Sequence, residues 1–306
     1  MDDTRVRSEL TDATLVRGPG DEPEGGWRRA VLRLSGGLVN AGPGPAELYR
    51  RERLHRIRRP LLAPHRVAVG SIKGGVGKTT VTACLGLALA EYRGDRVVAL
   101  DANPDAGTLA DRLTGEESVT VRDLLQDLHR IGSWSELTRY TSLAGRLHVL
   151  ASEQDPASGD AFSRAEYTDV TAVFAQFFDV LLTDSGTGLV HSAMEGTLEA
   201  ADSIVVVGAP TVDGASRAAK TLDWMTAHGH GRLVDDAVVV LSCDRGSDAV
   251  DREAVRDHFR ARVRTVVEVP HDPHLAVGGR IDLHRLHPAT REAVLELAAH
   301  VADGFG

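Results

Sequence analysis

The stretch Lys73-Gly74-Gly75-Val76-Gly77-Lys78-Thr79-Thr80 decides the fold of this chain. It follows a short apolar run, residues 67–69, and precedes residues 81–92, which have the composition of a helix. A glycine-rich turn between a strand and a helix presents unpaired backbone N–H groups to an anion, and the helix dipole favours negative charge at the same place. Glycine also lets the backbone approach a phosphate closely, because it has no Cβ. The stretch therefore predicts a phosphate-binding loop.

Two side chains of this loop are predicted to act directly on the phosphates. Lys78 is expected to contact the β- and γ-phosphates, and the hydroxyl of Thr79 is expected to bind Mg²⁺. The other predicted cofactor contacts are Gly74, Gly75, Val76, Gly77 and Thr80.

The loop departs from the strict pattern G-x-x-x-x-G-K-[ST], because the first glycine would fall on Ile72 and an additional lysine stands at position 73. In this it resembles the deviant Walker A motif, K-G-G-x-G-K-[ST]-[ST], of the MinD/ParA family of P-loop ATPases. The chain contains only three lysines, and two of them lie in this motif. The resemblance implies ATP and Mg²⁺ as cofactors. It also implies that Lys73 reaches across a dimer interface to the nucleotide of a second subunit.

The composition is that of a soluble globular protein, with 306 residues, 42% hydrophobic residues and a formal net charge of −9. No apolar run is long enough to span a bilayer, and the N-terminus lacks the pattern of a signal peptide, so a cytoplasmic protein is expected. The two cysteines, Cys84 and Cys243, are far apart. We therefore expect neither a disulfide nor a cysteine metal site.

The charge is distributed unevenly and predicts three segments. Residues 1–26 are acidic and rich in glycine and proline, which is typical of a disordered tail. Residues 27–64 are predicted to form a basic, partly helical extension, since residues 27–60 contain nine arginines and two glutamates. Such a segment suits an inner membrane surface, a nucleic acid, an acidic partner or the acidic surface of its own domain. Residues 65–306 are predicted to be the nucleotide-binding domain.

From residue 65 onward, short β-branched runs alternate with helical stretches. Strands that are apolar throughout and separated by amphipathic helices predict a three-layer, doubly wound α/β fold with a mostly parallel sheet. The predicted strands are 67–71, 96–101, 147–151, 180–184, 203–208, 237–242 and 265–269. The predicted helices are 79–92, 121–129, 166–177, 214–228, 249–260 and 288–301, with a further short helix at 27–39 in the extension.

Carboxylates end two of the predicted strands, at Asp101 and Asp184. Ligands of such sheets bind at the carboxyl ends of the strands, where a carboxylate holds Mg²⁺ directly or through water. Thr79, Asp101 and Asp184 are therefore the predicted metal-binding residues, although Asp184 alone would also fit a helix N-cap or a turn. Both segments resemble the switch regions of the MinD/ParA family. The resemblance assigns catalytic roles to Lys73, Lys78, Asp101, Asp184 and position 103.

Position 103 carries asparagine, where the resemblance predicts the aspartate that positions the attacking water. The amide of Asn103 still forms hydrogen bonds with water, but it is a poor proton acceptor. Asp105, two residues later, is an alternative. Slow hydrolysis and a long-lived ATP state are therefore expected.

Adenine recognition is predicted further along the chain, at positions that resemble the purine contacts of the family. These contacts are Asp244 after one strand and Pro270 and Asp272 in the turn after the next. Asp244 also fits an ordinary acidic residue between a strand and a loop. Four histidines lie, as two pairs, in and after the turn that contains Pro270. Their spacing is compatible with a zinc site, although histidine-rich turns at the protein surface are the more ordinary interpretation. They are His271, His274, His284 and His287.

Other stretches indicate one group within this family. They are Gly26-Trp27-Arg28-Arg29, Pro45-Ala46-Glu47-Leu48, residues 101–113, Asp213-Gly214-Ala215 and Leu222-Asp223-Trp224. They are similar to the actinobacterial MinD-like ATPases encoded with type VII (ESX) secretion systems, the EspI group. The resemblance implies an ATP-dependent homodimer that acts as a switch on a protein partner, for example secretion machinery. Two alternatives stay open, a ParA-type DNA-partition ATPase and a non-catalytic ATP-binding scaffold. The C-terminal segment 291–306 lacks the basic amphipathic helix of a membrane-positioning MinD.

Overall fold

The structure is a computed structural model that describes residues 22–71, 74–103, 107–115, 119–153, 163–186, 192–243 and 250–305. The chain divides into two compact units, residues 1–52 and 53–306. In the part of the chain that the structure describes, no helix has the length and apolar character needed to cross a membrane.

The first unit contains helix α1 (Gly26–Leu34) and most of helix α2 (Pro45–Ile57). Helix α1 is shorter than the predicted 27–39, because Gly36 and Gly37 adopt positive φ angles of 60° and 87° and turn the chain away. The side chain of Arg28 donates to the backbone carbonyl groups of residues 41–43 and holds the intervening loop. Large apolar side chains of this unit are exposed, among them Trp27, Leu34, Leu38 and Tyr49.

In its described residues, the second unit is built on an eight-stranded sheet in the order β3-β4-β2-β5-β1-β6-β7-β8. All of the strand pairs that the structure describes are parallel except β3 with β4. The strands are β1 (His65–Gly70), β2 (Val97–Ala102), β3 (Ser142–Ala144), β4 (Leu147–Leu150), β5 (Val180–Ser185), β6 (Ser203–Gly208), β7 (Val238–Ser242) and β8 (Thr265–Val269). The predicted mostly parallel α/β sheet is thereby confirmed, and β3 is an addition to it.

Eleven described helices follow α2 and cover or connect the strands. They are α3 (Lys78–Tyr92), α4 (Leu109–Leu113), α5 (Val121–Asp127), α6 (Trp134–Leu137), α7 (Arg164–Phe174), α8 (Ser192–Ala200), α9 (Val212–Ala227), α10 (Gly231–Asp235), α11 (Arg252–Arg260), α12 (Pro273–Ala276) and α13 (Pro288–Ala302). Three 3-10 turns lie among them, at Leu128–Arg130, Thr138–Tyr140 and Leu283–Arg285.

The sheet has a hydrophobic core on each face, as the doubly wound arrangement requires. Alternate residues of β2 point to opposite faces, so Val97 and Ala99 join one core while Val98 and Leu100 join the other. Helices α3 and α13 cover the first face. Helices α5, α7, α8, α9 and α11 cover the second face.

Helix α3 is central to the first core, and its residues 81–86 and 88–90 are buried. Gly86 lies in the middle of α3, where the space requires glycine, because a Cβ there would come within 2.9 Å of the Leu147 side chain and 3.1 Å of the Leu182 side chain. The close approach of helix and sheet at this point fixes where the N-terminus of α3 lies over the strand ends.

Residues 53–59, the end of the predicted extension, pack on their own domain. The side chain of Ile57 is fully buried, and Arg93 donates to its carbonyl oxygen. Arg53 forms ion pairs of 2.8 and 3.1 Å with Glu292 and Glu296 of α13. For this part of the extension, the arginines thus meet acidic side chains of the same chain.

Candidate functional site

The phosphate loop connects β1 to α3 at the carboxyl edge of the sheet, where β1 lies between β5 and β6. Gly75 and Gly77 adopt positive φ angles of 70° and 94°, a region that favours glycine. A Cβ on Gly77 would also come within 3.3 Å of the Ser242 hydroxyl oxygen. The loop therefore turns sharply and presents its backbone to the space in front of α3. Ile72 and Lys73 lie outside the described residues.

The first turn of α3 is joined to the end of β5 through the carboxylate of Asp184. The hydroxyl of Thr79 donates to Oδ2 of Asp184 over 2.6 Å, and the hydroxyl of Thr82 donates to Oδ1 over 3.2 Å. Burial raises the pKa of Asp184, and the hydrogen bond from Thr79 opposes that effect. The predicted pair Thr79 and Asp184 therefore does lie together at one place.

Lys78 is the first residue of α3 and is buried. Burial lowers the pKa of its ammonium group, while the charges of Asp184 and Asp101 raise it. The two carboxylates and the ammonium group thus form one charge cluster beneath the loop.

Asp101 is the direct neighbour of Asp184 in the register of β2 and β5. Its carboxylate accepts hydrogen bonds from the backbone N–H groups of Asn103 and Leu109, over 3.1 and 3.0 Å. Burial raises the pKa of Asp101, and the neighbouring charge of Asp184 raises it further. In the structure, Asp101 thus holds residues 103 and 109, on either side of the connection between β2 and α4. Its role as a metal ligand stays a prediction, and Asp105 lies outside the described residues.

A cavity of about 530 Å³ opens in front of the phosphate loop, within the range of small-molecule sites. It brings together the loop residues 75–80, Asn103 from the end of β2, and Pro270 and Asp272 from the turn after β8. The predicted phosphate, water and adenine regions therefore share one space. Asp244 lies outside the described residues, so its predicted purine contact stays a prediction.

Asp272 performs a local structural task that the sequence did not indicate. Its two carboxylate oxygens accept from the backbone N–H groups of His274 and His287, over 2.9 and 2.8 Å. Burial favours a raised pKa for Asp272, but these hydrogen bonds outweigh it and hold the pKa below its usual range. The carboxylate thus shapes the turn that faces the cavity.

The histidines near this turn take part in backbone contacts. Nε2 of His274 accepts from the N–H of Asp282 over 3.0 Å, and Nδ1 of His287 accepts from the N–H of Ala289 over 3.3 Å. Within the described ranges, no group of three or more His, Cys, Asp or Glu side chains is arranged to hold a metal ion.

Arg112 is a residue of the cavity that sequence reasoning missed. It lies on the short helix α4, only 8% exposed, and its Nη2 atom donates to Oγ1 of Thr80 over 3.1 Å. The same atom donates to the carbonyl oxygen of Leu275 over 3.2 Å. No motif carried this signal, because a single arginine in a five-residue helix has no informative spacing.

The donor set fits a magnesium nucleotide. A hydroxyl and a carboxylate at the head of α3 are the hard oxygen ligands that Mg²⁺ prefers. The buried ammonium group of Lys78, the positive end of the helix dipole and a loop without Cβ atoms suit a polyphosphate. These features, on a doubly wound sheet, define a P-loop nucleotide-binding protein.

The sequence assigns the chain to a family within that class. Residues 67–281 match the family described as CbiA, the CobQ/CobB/MinD/ParA nucleotide binding domain. The chain belongs to this family, which confirms the predicted MinD/ParA resemblance.

Individual relatives agree with this assignment. The chain is 35% identical over 286 residues to the ESX-1 secretion-associated protein EspI of Mycobacterium tuberculosis, and the match covers 92% of this chain. It covers only 42% of EspI, so the chain spans less than half the length of that relative.

Two solved structures show the same fold. The ParA family ATPase of Chlorobium tepidum has a TM-score of 0.68 at 19% identity and covers 78% of this chain and 99% of its own. The septum site-determining protein MinD of Pyrococcus horikoshii, complexed with Mg-ADP, has a TM-score of 0.63 at 20% identity, with coverages of 77% and 94%. The chain is thus an EspI homologue with the fold of the ParA and MinD ATPases.

Proposed function

We propose that this protein binds ATP and Mg²⁺, hydrolyses ATP slowly, and acts as a nucleotide-dependent dimer switch on a protein partner. The observation that carries the proposal is the cluster at the head of α3. There the hydroxyl of Thr79 lies 2.6 Å from Asp184, and buried Lys78 shares its surroundings with Asp184 and Asp101. A hydroxyl, a carboxylate and an ammonium group at a helix N-terminus suit the charge of a magnesium triphosphate.

The residues of the proposed site have separate roles. Lys78 neutralises charge on the β- and γ-phosphates, while Thr79 and Asp184 would hold Mg²⁺, with Asp101 next to them. The backbone of residues 74–80 surrounds the phosphates. Pro270 and Asp272 form the turn on the adenine side, and Asp244 is the further adenine contact proposed from the sequence.

Slow turnover follows from Asn103. Asn103 lines the cavity at the end of β2. An aspartate at this position would act as a proton acceptor for the attacking water. An amide orients water but does not take up its proton. The ATP-bound state is therefore long-lived, and a scaffold that binds ATP without turnover is the second candidate function.

The dimer switch rests on the deviant motif. Lys73 would neutralise phosphate charge on the nucleotide of a second subunit, so two subunits close only when both carry ATP. Positioning and charge neutralisation supply most of the catalysis in phosphoryl transfer.

The proposed partner belongs to a secretion apparatus of the type VII kind, because the relative EspI is described as ESX-1 secretion-associated. The first unit supplies a surface for such contacts, since Trp27, Leu34 and Leu38 are exposed among arginines. Apolar and basic side chains together also suit the inner face of the plasma membrane, where we place the protein peripherally. ParA-type binding to DNA is less favoured, because residues 61–306 carry more acidic than basic side chains.

The first experiment tests nucleotide binding and turnover. Isothermal titration calorimetry with ATP and Mg²⁺ and a phosphate-release assay compare the wild-type protein with Lys78→Ala. Lys220→Ala is the matched control, because Lys220 is an exposed lysine of α9. We expect Lys78→Ala to abolish binding or turnover and the control to change neither. Equal binding by Lys78→Ala would contradict the proposed site.

The second experiment tests the switch. Gel filtration with ATP, ADP or no nucleotide should show a dimer of the wild-type protein with ATP only. Lys73→Ala should keep nucleotide binding and stay monomeric with ATP. A dimer of the same abundance in that variant would exclude the proposed role of Lys73. Phosphate release at background level from a wild-type dimer would favour the scaffold.

A further inference from the structure

Arg112 connects two regions of the nucleotide cavity that are far apart in sequence. Its Nη2 atom donates both to Oγ1 of Thr80 in the first turn of α3 and to the carbonyl oxygen of Leu275 in α12. The guanidinium group therefore lies between the phosphate loop and the turn after β8. Its own carbonyl oxygen accepts from the N–H of Ile281 over 2.8 Å, which fixes α4 against the segment after α12.

The charge of Arg112 is not balanced by the described part of the protein. No described carboxylate forms an ion pair with it, although Asp111 and Asp272 line the same cavity. Both oxygens of Asp272 accept from backbone N–H groups. A buried cation without an opposite charge is unfavourable, and an anionic ligand would offset that cost.

The remaining donors of Arg112 are available to such a ligand. Among the described residues, only its Nη2 atom has hydrogen-bond acceptors, while Nε and Nη1 have none. Neither of these two atoms is fully enclosed, and Arg112 lines the cavity. A guanidinium group presents its donors in a planar fork that matches phosphate geometry.

We propose that Arg112 binds the α-phosphate of the nucleotide, the phosphate next to the ribose, and so recognises nucleoside diphosphates and triphosphates alike. The proposal rests on the proposed ATP binding and adds a residue to that site. Lys78 and Thr79 line the cavity where the γ-phosphate and metal are proposed, and Pro270 lines it where the base is proposed. Through Thr80, Arg112 contacts the helix that begins at Lys78, and through Leu275 it contacts the helix that follows the Pro270 turn. The α-phosphate connects the corresponding parts of a nucleotide, the other phosphates and the nucleoside.

Calorimetric titrations with ADP and with ATP, both in Mg²⁺, test this assignment. The variants are Arg112→Gln, which keeps a planar NH₂ donor but removes the charge, and Arg112→Lys, which keeps the charge but removes the fork. Arg217→Ala is the control for loss of an exposed arginine, since Arg217 pairs with Asp213 on α9. We expect Arg112→Gln to weaken the binding of ADP and of ATP by the same factor, about tenfold or more, because a hydrogen bond to a charged group is lost. Arg112→Lys should lose less nucleotide affinity than Arg112→Gln, and Arg217→Ala should bind both nucleotides as the wild-type protein does.

Thermal unfolding separates this role from a structural one. Without nucleotide, Arg112→Gln should unfold at the wild-type temperature or above it, because a buried unpaired charge is gone, while its stabilisation by ADP should shrink. Wild-type ADP affinity in Arg112→Gln would overturn the proposal, and so would a loss confined to ATP, which would place Arg112 at the γ-phosphate. A large fall in the unfolding temperature without nucleotide, with wild-type affinity in Arg112→Lys, would show a structural role only. If the wild-type protein bound neither nucleotide, the proposed function itself would fail.

Discussion

The hydroxyl of Thr79 donates to the carboxylate of Asp184 over 2.6 Å and so joins the first turn of α3 to the end of β5. The other carboxylate oxygen accepts from Thr82, one helical turn further along. A carboxylate that is only 2% exposed is thereby satisfied by two hydroxyls of one helix. Helix, phosphate loop and sheet are consequently fixed relative to one another.

Removal of the Thr79 hydroxyl should change both the stability of the protein and the Mg²⁺ dependence of ATP binding. In Thr79→Ala, a buried carboxylate loses its shortest hydrogen bond, so we expect the free energy of unfolding to fall by about 1–3 kcal/mol in urea denaturation at pH 7. ATP affinity, measured by calorimetry with Mg²⁺ and with EDTA, should become nearly independent of the metal. Thr79→Ser keeps the hydroxyl and is the matched control. Undiminished Mg²⁺ dependence in Thr79→Ala would exclude Thr79 as a metal ligand.

Asn103→Asp should speed up hydrolysis. A carboxylate at the end of β2 supplies the charge and proton acceptor that the amide lacks, and general base catalysis contributes about 10²–10⁴-fold where the geometry is right. Because one carboxylate replaces an amide of the same shape, we expect at least about tenfold faster phosphate release at saturating ATP. Asn103→Ala should not be faster than the wild type. An unchanged rate in Asn103→Asp would show that the slow step lies elsewhere.

Gly107→Ala should disturb the site through Asp101. A Cβ at position 107 would come within 2.0 Å of Oδ2 of Asp101, a distance that real atoms do not tolerate. We expect a loss of about 1–3 kcal/mol in the free energy of unfolding, as for other overpacked positions. Gly94→Ala is the control, because a Cβ there meets no atom within 4 Å. Equal melting temperatures for the two variants would contradict the close packing at Gly107.

His65 should make stability depend on pH. Burial lowers the pKa of His65, opposed by Asp202, while Arg264, Arg66 and Arg93 lower it further. The unfolded chain has the ordinary histidine pKa of about 6.5. As the pH falls below about 6.5, the unfolded state takes up the proton first, so the free energy of unfolding decreases until the lower folded pKa is reached.

His65→Gln should flatten this pH dependence between pH 7 and 5 in urea denaturation, because an amide does not titrate there. The amide can still bond to the Ser203 hydroxyl, which lies 3.0 Å from Nε2 of His65. His228→Gln, at an exposed histidine, is the control. Identical pH profiles for the wild type and His65→Gln would show that His65 does not contribute.

The fold was largely readable from the sequence because its strands are buried on both faces. Runs such as Val180–Ser185 are short, apolar and β-branched or leucine-rich, and they end at polar residues. The strand β3 was missed because it has only three residues, of which one is buried, and it pairs antiparallel at the sheet edge. Helix α8 was missed as well, since its sequence, Ser-Ala-Met-Glu-Gly-Thr-Leu-Glu-Ala, contains a glycine and few large apolar residues.

The residues of the candidate site were predictable from the sequence only where a local motif or a strand end marks them. Lys78, Thr79 and Asp184 each stand at a fixed place relative to a strand or helix end, and the structure brings them together. Asp272 and Arg112 act through contacts with residues far away in sequence, at positions 287 and 275. Such contacts follow from the packing of whole elements, so no local pattern reveals them.

The pairing of β2 with β5 places Asp101 directly beside Asp184 without any offset. The adjacency of the two carboxylates is therefore a matter of strand length and not of loop shape. Deleting or inserting one residue within either strand would turn the acid to the opposite face of the sheet, even though every amino acid of the site remained present. Length changes should be tolerated in the connections away from the cavity, and a single slip inside β2 or β5 should abolish the site as completely as removing an aspartate.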